Sequence, residues 1–213
     1  MTIDRLVQPA LVIVDMQNDF VRVGAPFEVP QARATIPVHR SLIGACRELG
    51  IPVIYTKFVA GPEPILLWEW SPVVAPPVCS CWKGFPRHYA DVGKELDCSD
   101  IIDELYPEPD DPIVEKFWYG AFHDTNLDDL LKARQVESVL VTGTVTQICV
   151  EETARESFHR GYRTTIVADA VSSYMPDLHA ATLKNFALKF GWVSPAAELI
   201  AELRQRRGVK IPA

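Results

Sequence analysis

One stretch, residues 139–158, changes directly from a strand pattern into a helix pattern. Residues 139–142 form a mostly β-branched run that is typical of a buried strand. Gly143 is expected to end this run, and a polar turn then leads to Cys149. Beyond the cysteine, apolar residues recur at the spacing of one helix face: Val150, Ala154 and Phe158. A strand, a turn and a helix in direct succession favour an α/β fold.

Cys149 therefore lies at a strand-to-helix turn, close to a helix N-terminus. Free backbone N–H groups and the helix dipole favour an anion there, so we expect this thiol to lose its proton easily. The same N–H groups could stabilise an oxyanion. The alternative is that Cys149 is a small buried apolar residue, as many single cysteines are.

Strand and helix patterns alternate along the whole chain. Strands are predicted at residues 10–16, 53–56, 112–116, 139–142, 163–168 and 192–193. Helices are predicted at residues 34–49, 126–133, 150–160, 179–190 and 196–208. This alternation predicts a doubly wound, mostly parallel sheet with helices on both faces. A chain of 213 residues suits one such domain, spanning residues 1–213.

The composition narrows the class of partner. A formal net charge of −7 argues against nucleic acid or an anionic membrane as the main partner, and no apolar run is long enough to span a bilayer. The N-terminus lacks the pattern of a signal peptide. Five scattered cysteines indicate a reducing cytoplasm, and the Cys79-Ser-Cys81 spacing does not match a zinc site. We therefore expect a cytoplasmic protein that binds a small molecule.

Three predicted strands end in a reactive side chain. Asp15 follows an apolar run, Lys116 ends a short strand, and Cys149 follows the strand described above. Parallel topology gathers the carboxyl ends of strands at one edge of the sheet. There, Asp15 could take the proton of Cys149, while Lys116 stabilises the negative charge. The three residues are the predicted catalytic group.

The segment 57–100 is the least regular part of the sequence. It is rich in proline and glycine and contains Trp68, Trp70 and Trp82. A loop of this length inside a compact domain usually carries function or an interface. The tryptophans could form a lid or an oligomer contact, or they could pack the core of the loop itself.

Several motifs together resemble the isochorismatase-like cysteine hydrolases. They are residues 11–20 (LVIVDMQNDF), Lys116 with 119–122 (YGAF), 125–127 (TNL), 141–150 (VTGTVTQICV) and 168–170 (ADA). The resemblance implies a three-layer Rossmann-like sheet and a triad of Asp15, Lys116 and Cys149. It also implies a cis peptide bond between Val145 and Thr146, with backbone N–H groups of Thr146 and Cys149 as the oxyanion hole. No cofactor is implied.

The lack of an Asp-x-His pair after the second strand indicates which branch of the family the sequence resembles. Nicotinamidases of this family bind a metal through an Asp-x-His pair after the second strand, where residues 55–59 read Tyr-Thr-Lys-Phe-Val. The resemblance therefore favours the metal-free ureido branch, which includes biuret, triuret, ureidoacrylate and N-carbamoylsarcosine amidohydrolases. Residues 144–158 and 179–187 look most like that branch, although Gln147 stands where many relatives carry aspartate.

Seven residues are candidates for the substrate pocket. The predicted substrate-binding residues are Gln17, Phe20, Tyr119 and Phe122, with Arg22, Arg87 or Lys189 as partners for a substrate carboxylate or carbonyl. The expected reaction is cysteine-dependent hydrolysis of a small ureido or carbamoyl amide, and the family leans towards a homodimer or homotetramer. The alternatives are vinyl ether hydrolysis of the isochorismatase type, nicotinamidase-like carboxamide hydrolysis, and a catalytically silent interaction protein.

Overall fold

Six parallel strands form the central sheet of the protein, in a computed structural model that describes residues 4–206 and residue 208. In chain order the strands of the described residues are β1 (Pro9–Val14), β2 (Val53–Phe58), β3 (Pro86–Tyr89), β4 (Lys94–Asp97), β5 (Ile113–Lys116), β6 (Ser138–Thr144), β7 (Arg163–Ser172) and β8 (Trp192–Ser194). The sheet has the order β5-β2-β1-β6-β7-β8, while β3 and β4 form a separate antiparallel hairpin.

The part of the chain that the structure describes also contains six α-helices. They are α1 (Asn18–Val21), α2 (Ala32–Glu48), α3 (Leu127–Ala133), α4 (Glu151–His159), α5 (Pro176–Lys189) and α6 (Ala196–Arg206). Short 3-10 turns lie at Leu66–Glu69, Pro72–Val74 and Asp103–Leu105, and a single π-type turn lies at Thr146–Val150. Among the described residues, no helix is both long and apolar enough to cross a bilayer.

The helices cover both faces of the sheet. Leu11 and Ile13 of β1 pack in one apolar cluster with side chains of α2 and α6. Ala10 and Val12, which point the other way, pack in a second cluster with side chains of α3, α4 and α5. Because β1 is buried on both faces, its sequence is apolar throughout rather than alternating. The predicted fold class, a three-layer doubly wound sheet, is confirmed.

Gly143 does not end its strand, contrary to the prediction. Strand β6 continues to Thr144, with a register shift between Val141 and Gly143 where it pairs with β7. Gly143 has a φ of +105°, and a Cβ atom placed there would lie 2.0 Å from the Val14 carbonyl oxygen of β1. A glycine is therefore required because the two strand backbones approach closely at this point.

Other boundaries differ by a few residues from the sequence prediction. Helix α5 begins at Pro176 rather than at His179, since proline is well suited to the first turn of a helix. Strand β7 runs on to Ser172 because its last residues pair with the extended end of β6. Helix α6 ends at Arg206, and the remainder of the predicted closing helix includes Arg207, which lies outside the described residues.

The irregular segment has a small core of its own. The β3–β4 hairpin packs around Tyr89 and Cys98 in a third apolar cluster. Trp68 and Trp82 lie with ring centroids 6.1 Å apart, and each indole N–H donates to a backbone carbonyl within the segment. These two tryptophans therefore pack the loop itself. Trp70, by contrast, is 79% exposed.

Candidate active site

Three strand ends bring Asp15, Lys116 and Cys149 together. Asp15 directly follows β1, Lys116 is the last residue of β5, and Cys149 lies in the π-type turn that follows β6. Asp15 and Lys116 are both completely buried, and Asp15 Oδ2 lies 2.7 Å from Lys116 Nζ. Strand β2 separates β5 from β1, so the long lysine side chain reaches across one strand to form this ion pair.

Thr56 of that intervening strand holds the carboxylate. Its hydroxyl donates to Asp15 Oδ1 at 2.6 Å, and the Asp15 backbone N–H donates back to Thr56 Oγ1 at 3.2 Å. Asp15 adopts a left-handed backbone conformation, with φ +50°, which is uncommon for a residue other than glycine and often marks a functional site. Thr56 was not predicted as a site residue. The available signal was its hydroxyl group in β2, the strand that lies between β1 and β5 in the sheet.

Lys116 remains charged in this buried position. Its ammonium group donates to the Trp118 carbonyl at 3.1 Å and lies 5.3 Å from the centroid of the Phe58 ring. Burial is the largest single influence and opposes the charge, but Asp15 and Cys149 together outweigh it, and the pKa of Lys116 is raised. Asp15 Oδ2 forms an ion pair with this ammonium at 2.7 Å, and the Cys149 thiol lies within interacting distance of the same carboxylate.

Cys149 is a thiol rather than a preformed thiolate. It is 3% exposed, and burial raises its pKa to about 12, against the neighbouring Lys116 ammonium, which lowers it. The Asp15 carboxylate adds to the rise. This direction is opposite to the one expected from the helix terminus, because desolvation and a like charge outweigh the favourable dipole. Removal of the proton therefore requires a base at the site.

The turn that carries Cys149 presents backbone N–H groups at its start. Ile148 and Val150 donate their N–H groups to the Val145 carbonyl at 3.0 and 3.2 Å. The first N–H groups of a helical segment have no acceptor within that segment, and Thr146 is the first residue here. The Thr146 hydroxyl is hydrogen-bonded to His179 Nδ1 of α5 at 2.9 Å. This contact fixes the start of the turn.

The cis peptide bond lies one residue earlier than predicted. It joins Thr144 and Val145, not Val145 and Thr146. The reason is that β6 extends to Thr144, so the chain leaves the sheet directly after that residue.

A cavity of about 400 Å³ opens onto Cys149. Its walls are mostly aromatic and aliphatic, with few polar groups, as in many small-molecule sites. The lining residues are Phe20, Pro26, Phe27, Glu28, Phe58, Trp70, Ser71, Pro72, Val73, Tyr119, Val145, Ile148, Cys149 and Tyr174. Two of the predicted pocket residues, Phe20 and Tyr119, are among them.

Gln17 and Arg22, two other predicted pocket residues, do not line the cavity. The Gln17 amide is buried, donates to the carbonyls of Phe58 and Ser99, and accepts from the Phe58 N–H, so it joins two loops. The Arg22 guanidinium is 3% exposed and forms two hydrogen bonds to the Glu104 carboxylate, at 2.8 and 2.7 Å. Neither polar group is left free for a ligand in the cavity, because each is already satisfied within the fold.

Phe122 and Lys189, also predicted for the pocket, lie outside the cavity lining. Phe122 is buried on the α4 side of the sheet, where it stacks on Tyr162 with ring centroids 6.1 Å apart. Lys189 is exposed at the end of α5 and does not line the cavity. The sequence alone does not show which way either side chain points.

Arg87, the last predicted partner for a carboxylate, is bound to a second buried acid, Asp19. Asp19 Oδ1 accepts from Arg87 Nε at 2.9 Å and from the Tyr89 hydroxyl at 2.7 Å. Asp19 Oδ2 accepts from the Cys81 N–H at 2.9 Å. Asp19 therefore links the segment around Cys81 and Tyr89 to helix α1, which follows β1. Asp19 was not among the predicted site residues.

The residues available as metal ligands are few. Within residues 4–206 and 208, no group of three or more His, Cys, Asp or Glu side chains is arranged to hold a metal ion.

Comparison with known proteins identifies the family. The Isochorismatase domain model matches residues 9–198, and the chain therefore belongs to the isochorismatase family. It is a hydrolase, as predicted. The fold and the family assignment agree with the resemblance carried by the motifs.

Sequence relatives carry one recurring name. The chain is 31% identical to ureidoacrylate amidohydrolase RutB of Methylorubrum extorquens, over 95% of this chain and 86% of that protein. It is 32% identical to the protein of the same name from Pseudomonas savastanoi pv. phaseolicola, over 88% of this chain and 80% of that protein.

Solved structures with the same fold include two hydrolases. A cysteine hydrolase from Pseudomonas syringae pv. phaseolicola superposes with a TM-score of 0.80 at 28% identity, covering 95% of each chain. N-carbamoylsarcosine amidase from Thermoplasma acidophilum superposes with a TM-score of 0.72 at 30% identity, covering 89% of this chain and 97% of that one.

Proposed function

We propose that this protein is a cysteine-dependent amidohydrolase that cleaves a C–N bond of a small linear ureido or carbamoyl amide. The observation that carries the proposal is the buried Asp15–Lys116 ion pair beside Cys149, which itself opens to the cavity. The names of the relatives, ureidoacrylate amidohydrolase and N-carbamoylsarcosine amidase, support the same bond type.

The first step is formation of the nucleophile. The Asp15 carboxylate interacts directly with the Cys149 thiol, so it can accept the proton of Cys149 as the sulfur attacks the substrate carbonyl. Proton transfer coupled to attack suits a thiol whose pKa is raised, because no free thiolate has to accumulate beforehand. Lys116 keeps its charge throughout and balances the negative charge as it passes between Asp15 and the sulfur.

The second step expels ammonia or an amine. Attack converts the carbonyl oxygen into an oxyanion, which the backbone N–H groups of Thr146 and Cys149 stabilise. The C–N bond then breaks, the nitrogen takes the proton held by Asp15, and a thioester or thiocarbamate remains on Cys149.

The third step regenerates the enzyme. Asp15 is again a carboxylate and takes a proton from a water molecule. The oxygen of this water attacks the carbonyl carbon that is bonded to the Cys149 sulfur. The C–S bond breaks, the sulfur receives the proton from Asp15, and a carboxylic or carbamic acid leaves. A carbamic acid then decomposes to an amine and carbon dioxide. None of these steps calls for a cofactor.

Cys149 favours amide hydrolysis over the alternatives. Vinyl ether hydrolysis does not need a thiol nucleophile, whereas here a base and a cation converge on one. Nicotinamidase-like chemistry in this family uses a metal ligand pair after the second strand, and residues 55–59 contain neither acid nor histidine.

Substitution of the nucleophile tests the proposal. We expect Cys149→Ser to lower ammonia release by at least about a thousandfold, because a hydroxyl beside a carboxylate base is a much weaker nucleophile than a thiol. The screen measures ammonia from biuret, triuret, ureidoacrylate, N-carbamoyl amino acids and nicotinamide. Circular dichroism checks that the fold is intact.

Cys46→Ser is the matched control, since Cys46 is equally buried but lies in α2, away from the cavity. This control should keep its turnover at a temperature where it is folded. Turnover that survives in Cys149→Ser would contradict the covalent mechanism.

A further inference from the structure

The cavity contains no partner for a substrate anion. Among the described residues that line it, none is basic. Arg22 and Arg87 are each paired with an acid elsewhere in the fold. Lys116, beyond the cysteine, is already paired with Asp15. A carboxylate that enters this space would lose its water without gaining a counter-ion, which is costly.

The one acidic side chain in the lining adds a negative charge. Glu28 accepts hydrogen bonds from the Gly24 N–H at 2.8 Å and from Arg33 at 2.7 Å. These contacts lower the pKa of Glu28, so its carboxylate stays ionised. Arg33 is in turn held by the Val21 carbonyl at 2.6 Å, outside the cavity lining. Its charge therefore neutralises Glu28 and is not left for a ligand.

The remaining walls suit an apolar group. Phe20 and Phe27 stack with ring centroids 5.3 Å apart. Trp70 and Tyr174 are 79% and 49% exposed, and they add aromatic surface to the lining. An aliphatic or aromatic substituent would cover these rings and remove apolar area from water.

Uncharged polar partners are also present. The hydroxyls of Ser71 and Tyr119 lie 3.4 Å apart in the lining. Hydroxyl groups can donate and accept, so they match the C=O and N–H groups of a neutral ureido substrate.

We propose that the substrate is an uncharged ureido or carbamoyl compound with an apolar substituent, and that the cavity discriminates against ureido acids. This proposal rests on the proposed amidohydrolase function. It differs from what the names of the sequence relatives would suggest, since ureidoacrylate is an acid. The lack of an available cation sets this specificity, because Glu28 keeps the nearby Arg33 paired.

A matched series of substrates tests the proposal. 3-Methylbutylurea and N-carbamoylleucine differ by one carboxylate on the same skeleton, and N-carbamoylleucine methyl ester controls for the size of that group. We expect kcat/KM of the two neutral compounds to exceed that of the acid by about a hundredfold or more, because the acid finds no counter-ion. Ammonia release gives all three values.

The charge in the lining is tested by substitution. Glu28→Gln keeps an acceptor for Gly24 but leaves Arg33 without its counter-charge, so we expect the ratio of kcat/KM for the acid to kcat/KM for the neutral compounds to rise by about five- to tenfold. Glu69→Gln is the control, because Glu69 is exposed on the same segment as Trp70 but does not line the cavity. That control should leave the preference unchanged.

Alkylation of Cys149 gives a readout that does not depend on turnover. Iodoacetamide and iodoacetate differ mainly in charge, and mass spectrometry locates the label. Relative to free cysteine, we expect Cys149 to prefer iodoacetamide by a further tenfold or more. Equal preference, or a kcat/KM for the acid that matches the neutral compounds, would overturn the neutral-substrate proposal and leave the amidohydrolase function standing. If neither these compounds nor the wider amide screen is hydrolysed, both proposals fail.

Discussion

Asp15 and Asp19 are two buried acids only four residues apart, and they differ in the groups that contact their oxygens. Both are completely buried, and each lies next to a cation. Asp19 accepts three hydrogen bonds, from Arg87, Tyr89 and the Cys81 backbone, so both of its oxygens are occupied. Asp15 accepts a hydrogen bond from Thr56 on Oδ1, while Oδ2 lies 2.7 Å from the Lys116 ammonium and the carboxylate also interacts with the Cys149 thiol.

The two acids also differ in what surrounds them. The partners of Asp19 come from the irregular segment, and their hydrogen bonds hold that segment against helix α1. The partners of Asp15 come from neighbouring strands of the rigid sheet, beside a thiol that opens to the cavity. The contrast indicates that a fully satisfied buried carboxylate serves the fold. A buried carboxylate that contacts a thiol beside a cavity is instead placed to take up the proton of that thiol.

Replacement of Asp15 is expected to give the largest effect. Asp15→Asn is nearly isosteric but cannot take the proton of Cys149, so kcat should fall by about a thousand- to ten-thousandfold. The loss is measured as ammonia release per folded protein at 25 °C, because Lys116 is left without its counter-charge and stability falls too. Alkylation of Cys149 should slow in parallel. A variant that keeps more than about a tenth of the wild-type kcat would show that Asp15 is not the base.

Replacement of Asp19 should give the opposite pattern, a loss of stability without loss of chemistry. Asp19→Asn removes a charged acceptor from Arg87 and Tyr89, and we expect the free energy of unfolding to fall by about 3 kcal/mol. Urea unfolding measures this, with the exposed Asp103→Asn as control, expected within about 0.5 kcal/mol of the wild type. The kcat of folded Asp19→Asn should stay within about fivefold. A drop in kcat like that of Asp15→Asn would erase the distinction between the two acids.

The sheet and the convergence of the triad could be predicted because both follow from local patterns. Apolar runs identify buried strands, and parallel topology places their carboxyl ends on one edge, which is enough to bring Asp15, Lys116 and Cys149 together. No comparable rule tells which way a loop side chain points. Gln17 and Arg22 were therefore expected in the pocket, although both are held by partners far away in the sequence.

Tertiary burial explains the other differences from the sequence prediction. The helix terminus near Cys149 predicts a lowered pKa, but the desolvation that raises it depends on packing that the local sequence does not reveal. The end of β6 and the position of the cis bond likewise depend on pairing with β7. Thr56 acquires its contact with Asp15 only because β2 lies between β1 and β5 in the sheet.

Replacement of Thr56 is the prediction with the smallest expected effect. Its hydroxyl group donates a hydrogen bond to Asp15 Oδ1. Thr56→Val keeps the shape of the side chain but removes the hydroxyl, so the carboxylate loses the hydrogen bond on Oδ1. We expect kcat to fall about tenfold, equivalent to about 1.4 kcal/mol. KM should change little because Thr56 does not line the cavity. Thr56→Ser restores the hydroxyl and should recover most of the kcat. A lowered melting temperature with unchanged kcat would instead mean that Thr56 acts on Asp15 as Tyr89 acts on Asp19, through the fold alone.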